Sequence, residues 1–272
     1  LEMTNLEQPA ALKLFDSLCR KGILKADLPF PRNLKTLEDY IARTERPIYT
    51  GGIRDMNKEE KKGILVVSFG TSVNETREKT IDVIEDDIRR AFPDCALYRA
   101  WTSGMIIRKI QKRDGVHIDT VTEAAQRMLE DGITEVLVQP THVINGVEND
   151  LMIQDMLAFQ GRFDRIAFGN PLLTSEEDSE EVVRALMEEY QDLSEEEALI
   201  FMGHGTTHYA NSIYAALDYR FKDMGYSNVF LGTVEAYPSL ETLMKLVHAY
   251  GAKKVRLAPF MVVAGDPAIN DM

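Results

Sequence analysis

From residue 63 onward the chain alternates between short apolar runs and stretches of helical periodicity. Apolar runs of strand length lie at 63–69, 96–101, 134–140, 165–169, 199–202, 229–234 and 255–263. Between them, 74–92, 120–130, 148–159, 175–190, 209–224 and 239–250 read as helices. Strands separated by helices are joined by right-handed crossovers and pair in parallel. The alternation restarts just before Ala198. The sequence therefore predicts an α/β protein of two similar Rossmann-like lobes with parallel sheets, 63–174 and 175–272, and a cleft between them. Residues 1–62 differ: Pro29, Pro31 and Pro47 punctuate two amphipathic stretches, and a polar run, Lys58 to Lys62, closes the segment. They predict a helical extension that packs on the main domain or holds a partner subunit.

Ligands of open parallel sheets bind beyond the carboxyl ends of the strands, so the residues at those ends matter most. The run 198–203 breaks at Gly203, and His204 follows, flanked by Gly205; two neighbours without side chains suggest close approach by a large ligand. The run 136–140 leads in the same way to His142, with Asn145 and Glu148 beyond. Ser68, Thr71 and Ser72 follow the first strand, Arg99, Thr102 and Ser103 the second, and Glu235 and Tyr237 the sixth. Asp266 and Asn270 follow the last.

Imidazole and carboxylate together suit a divalent first-row metal, which His204 and Glu235 would supply. Two protein ligands leave positions open, as a transferable metal requires. His142 and Glu148 can accept protons from a substrate. Each also fits a plainer role, a strand-end hydrogen bond for the histidines and helix N-terminal charge for Glu148. His208 reads as a capping or supporting residue; His117 and His248 read as incidental. Arg99, with Arg108 and Lys109, offers guanidinium and ammonium groups for substrate carboxylates. The run 176–181 reads as the solvated acidic first turn of a helix.

Several classes are disfavoured. A formal net charge of −13 opposes nucleic-acid binding. No apolar stretch reaches the ~18 residues of a membrane span. Neither a GxGxxG nor a GxxxxGK[ST] run occurs, so no nucleotide is expected, and no GxSxG elbow marks a serine hydrolase. Two cysteines without a framework, Cys19 and Cys95, fit a reduced, cytoplasmic protein. Leu1 and Glu2 precede Met3, which leaves open an exported form whose leader has been removed.

Six stretches together resemble the anaerobic cobalt chelatases of cobalamin synthesis. They are ILVVSFGTS (64–72), RAWTSGMIIRK (99–109), HVINGVE (142–148), MGHG (202–205), VEAYP (234–238) and the run 261–272, in the same order as in that family. Those enzymes, class II chelatases related in fold to ferrochelatase, insert Co2+ into sirohydrochlorin. The resemblance implies a tetrapyrrole in the cleft, Co2+ as substrate metal, and no nucleotide. It implies that His204 is a metal ligand, that His142 faces the same metal, that Glu235 joins them, and that His142 and Glu148 assist removal of pyrrole protons. Ser68, Thr71, Ser72, Arg99, Thr102 and Ser103 would hold the substrate.

The chain departs from the family pattern where Pro267 stands in place of the histidine of an Ala-Gly-Asp-His-Ala motif. The family also continues past that motif, which implies further chain after Met272, and it has no counterpart to residues 1–62. Two alternative readings follow: a tetrapyrrole- or metal-binding protein of chelatase fold without catalysis, or a chelatase for iron or nickel. Homo-oligomerisation is open on either.

Overall fold

The computed structural model describes residues 61–263. The expected extension, except its last two residues, lies outside that range, as do Cys19, Asp266, Pro267 and Asn270. The first sheet comprises β1 (Lys62–Ser68), β2 (Ala96–Trp101), β3 (Glu135–Pro140) and β4 (Arg165–Phe168), in the order β2-β1-β3-β4. The second comprises β5 (Glu197–Gly203), β6 (Val229–Thr233) and β7 (Lys254–Pro259), in the order β6-β5-β7. All pairings are parallel, so the expected two-lobed α/β architecture is what forms.

The helices are α1 (Asn74–Lys79), α2 (Ile81–Ala91), α3 (Gly104–Asp114), α4 (Val121–Glu130), α5 (Val147–Leu157), α6 (Glu176–Glu189), α7 (Ser212–Asp223) and α8 (Leu240–Tyr250). None among the described residues is long and apolar enough to cross a membrane. The central strands β1 and β5 are covered on both faces and are apolar almost throughout, as parallel strands must be. Leu65 and Val67 face Met128, Met152 and Met156 in one core. Phe201 sits at the centre of another, edge-on to Tyr190 and stacked at 5.7 Å on Phe221.

Local chemistry sets the ends of the elements. Thr120 and Glu123 form a capping box at the start of α4, and Ser175 and Asp178 form one at α6. Backbone and hydroxyl hydrogen bonds from Ser175 hold the Asp178 carboxyl below its ordinary pKa, so the acidic run is a helix start, as expected.

Three elements differ from expectation. The stretch 74–92 is broken at Thr80, whose φ and ψ of −127° and −80° leave the helical region and whose hydroxyl donates to the Thr76 carbonyl at 2.7 Å. A helix not foreseen, α3, starts at a Ser103 cap and stops at Gly115 in the left-handed region, burying Ile107 and Ile110. The last strand ends at Pro259 rather than near 263, which frees 260–263 to pass over the strand ends.

Phe201→Ala should lower stability by about 3–5 kcal/mol, read as a drop in the urea midpoint at unchanged slope. An unchanged midpoint would mean that the second core does not depend on this ring.

Candidate functional site

A cavity of about 380 Å³ lies where the carboxyl ends of the two sheets meet. The first sheet supplies Ser68, Thr141, His142 and Glu148; the second supplies His204, Thr206, Tyr214 and Glu235; Phe260 to Val263 form an apolar wall. The sequence-predicted His142, Glu148, His204, Glu235 and Ser68 are thus brought together.

His142 follows β3 on a backbone fixed at both sides. The Thr141 N–H donates to the Val67 carbonyl at 2.9 Å, and the His142 carbonyl accepts from Leu172 N–H at 3.0 Å. Both of its ring nitrogens are buried, and neither makes a hydrogen bond of normal geometry. Burial pushes its pKa down to about 4, against a smaller upward pull from the side chain of Asn149. Asn149 is itself 4% exposed, donates from Nδ2 to Asn145 Oδ1 at 3.3 Å, and keeps Oδ1 unpaired. The imidazole is therefore neutral at pH 7, with a lone pair that no described protein group takes.

His204 follows β5 and is about half exposed, at 52%. Its carbonyl accepts from Glu235 N–H at 3.0 Å, which aligns the two residues on adjacent strand ends. Its Nδ1 lies 3.1 Å from the Gly205 carbonyl and 3.8 Å from Glu235 Oε2. Two ligands at roughly 2.0–2.2 Å from one ion span at most about 4.4 Å, so the pair fits capture of a divalent first-row ion between them. The alternative use of Nδ1, as donor to the Gly205 carbonyl, leaves the Nε2 lone pair for a ligand.

The two glycines beside His204 have a different basis from the one expected. A Cβ on Gly203 would lie 2.4 Å from the Tyr214 ring, and one on Gly205 would lie 2.9 Å from Thr233 Cβ; Gly205 also has φ +86°. Protein, not ligand, fills that space. The glycines let the Tyr214 ring pack against the backbone at Gly203 and let the chain turn at Gly205.

Of Ser68, Thr71, Ser72, Arg99, Thr102 and Ser103, expected to hold the substrate, five are not on the cavity wall. Arg99 was expected to hold substrate carboxylates, but its guanidinium is engaged by Asp82 and by Glu85 at 2.7 Å. Glu85 is 3% exposed, and a buried carboxylate needs its cation. Thr71 Oγ1 accepts from Val73 N–H at 3.2 Å, the Ser72 carbonyl accepts from Arg113 at 2.6 Å, and Ser103 caps α3. The Thr102 hydroxyl is buried without a hydrogen-bond partner. Ser68 is different: it lines the cavity, and its Oγ accepts from the Thr141 hydroxyl at 2.9 Å.

His208 caps the short 3₁₀ turn Tyr209–Asn211 through Nδ1, in the capping role expected of it. His117 approaches Asp119 and Glu123 closely enough for a metal cluster, but Asp119 is taken by Arg127 at 2.7 Å and Glu123 by the Thr120 cap.

The family model described as cobalt chelatase (CbiK) matches residues 62–272. The chain belongs to the cobalt chelatase family. It is 42% identical over 212 residues to a protein named sirohydrochlorin cobaltochelatase from Salmonella typhimurium, covering 78% of this chain and 80% of that one. It is 33% identical over 215 residues to one named sirohydrochlorin cobaltochelatase CbiKC from Nitratidesulfovibrio vulgaris, covering 78% of this chain and 75% of that one.

Sequence reasoning did not single out Thr141 and Tyr214, which line the cavity, or Asn149, which is buried beside His142, and it placed 261–263 in the last strand. Asn149 is one residue from the selected Glu148, and only its burial against His142 distinguishes it. The wall was read as strand.

The His142 pKa carries a sign for stability. The unfolded chain protonates this ring near pH ~6.5, whereas the folded protein holds it neutral to about pH 4. Below ~6.5 the unfolded state binds more protons, so stability falls as the pH drops toward 4, by on the order of 3 kcal/mol. His142→Asn should flatten that fall; denaturant midpoints at pH 7 and pH 5 would measure it. An equal fall in the variant would assign the titration to other groups.

Proposed function

We propose that this chain inserts Co2+ into sirohydrochlorin, as an ATP-independent cobaltochelatase of cobalamin biosynthesis. The observation that carries the reading is the convergence of the His204–Glu235 pair and the unpartnered His142 imidazole on one cavity, in a chain of the cobalt chelatase family. The lobes would be 63–174 and 175–272, each giving half of the site. We take the enzyme to be cytoplasmic, free of nucleic-acid and membrane partners, and open to assembly with its own copies.

Co2+ is captured at His204 and Glu235, near solvent. The macrocycle enters against Phe260 to Val263, which excludes water from one side of the ring. The neutral His142 lone pair accepts a hydrogen bond from a pyrrole N–H, or takes up the metal, on the buried side. With a pKa of about 4 it is a poor resting place for a proton at pH 7. Glu148, on the same cavity, passes each proton outward. Two pyrrole protons leave, Co2+ gains the ring nitrogens, and the charges balance with no redox step. Arg99 being engaged elsewhere, the hydroxyls of Ser68, Thr206 and Thr207 are donors that could hold the substrate within the cavity.

Anaerobic Co2+ insertion, followed by absorbance, tests the reading. His204→Ala should lower kcat/KM by at least about 100-fold through lost metal capture. Glu148→Gln should lower kcat by about 100-fold or more with little change in macrocycle affinity. Pro267→His adds the imidazole of the family motif and should not be needed for turnover. Macrocycle binding without insertion of Co2+, Fe2+ or Ni2+ would instead make this a binding protein of chelatase fold; preference for another metal would reassign the substrate ion.

A further inference from the structure

We infer that Asp150 and His208 form a clasp that fixes the spacing between the two halves of the site; the inference rests on the chelatase reading for its kinetic consequence. His208 Nε2 lies 3.3 Å from Asp150 Oδ2, joining the first turn of α5 to the loop that follows β5. Asp150 is two residues from Glu148, and His208 is four residues from His204. The contact therefore ties together the two segments that carry the reacting groups of opposite lobes.

Each end of the clasp is itself held. The Ala210 N–H donates to His208 Nδ1 at 3.2 Å, which leaves the ring proton on Nε2, facing Asp150. The His208 side chain is only 13% exposed and packs on the Tyr209 ring at 4.0 Å. Its own N–H donates to Thr206 Oγ1 at 3.1 Å, and Thr206 N–H donates to Asn211 Oδ1 at 3.0 Å, so the loop moves with the imidazole. On the other side, Asp150 N–H donates to the Gly146 carbonyl at 3.1 Å within the first helical turn. Asp150 itself is 60% exposed. An exposed pair adds little to stability, so its effect lies in where it places Glu148 relative to His204. Asp150 and His208 are positioning residues, and a displacement of the order of 1 Å across such a site lowers turnover without weakening binding.

The test is a double-mutant cycle with Asp150→Ala and His208→Asn; the asparagine Oδ1 can still accept from Ala210 N–H, so the cap is kept and only the Nε2 donor is lost. Each single variant should lower kcat for Co2+ insertion about tenfold, with the macrocycle KM little changed. The double variant should be no slower than the slower single, and Asp150→Asn, which keeps an acceptor, should recover turnover to within about twofold of the unaltered protein. Multiplying losses, unaltered rates, or an Asp150→Asn variant as slow as the alanine would overturn the clasp. Hydrogen exchange reads it without substrate: amides at 147–151 and 205–211 should exchange at least about fivefold faster in both singles, with no further gain in the double. Unchanged protection would overturn the clasp while leaving the chelatase reading intact. If the unaltered protein inserts no metal, that reading fails, and the exchange cycle still decides the clasp.

Discussion

An imidazole buried with both nitrogens unpaired costs free energy on the order of 1–3 kcal/mol per group, and the site is arranged around this deficit at His142. The surrounding chain does not relieve it. Thr141 and Leu172 pin the backbone, Ser68 takes the Thr141 hydroxyl, and Asn149 approaches the ring without completing a hydrogen bond. Such a group gains most when an outside partner completes it, whether a pyrrole N–H or a metal ion. On the proposed reading, folding stability would be given up at the place where binding energy is recovered.

Charge is distributed to the same end. With a formal net charge of −13, the molecule draws cations to its surface, and the exposed His204–Glu235 pair stands at the cavity where a cation would arrive. The guanidinium that most resembled a substrate anchor, Arg99, is used instead to neutralise Glu85 beneath α2. On the proposed reading, an anionic macrocycle would be held by hydroxyl dipoles and apolar contact, together with the metal.

The architecture was legible because parallel strands buried on both faces leave uninterrupted apolar runs, and because the restart before Ala198 marks the second sheet. His142, His204 and Glu235 could be placed on the cavity from sequence because each lies within two residues of the end of such a run, where parallel sheets bind ligands. The failures have physical causes. Helix α3 carries only two buried apolar positions, Ile107 and Ile110, too few for its period to stand out. The break at Thr80 is one residue of backbone geometry inside an otherwise helical stretch. Arg99 and Glu148 carry equally plausible charges in sequence; burial of Glu85, a tertiary fact, separates them. Gly203 and Gly205 were correctly singled out for the wrong reason, since the atoms they make room for belong to Tyr214 and Thr233.

The two imidazoles of the site differ in a way that suits transfer of a metal rather than its retention. His204 is exposed, next to a carboxylate, and meets a hydrated ion without first losing much of its own solvation. His142 is already desolvated, and its low pKa keeps it free of a competing proton at pH 7. An ion that moves from the first environment toward the second exchanges water and carboxylate for nitrogen donors, the direction in which a tetrapyrrole also draws it. A closed site of four protein ligands would hold the metal more tightly and stop that movement. On the proposed reading, incomplete coordination on each side of the cavity would allow the macrocycle to take the ion from the protein.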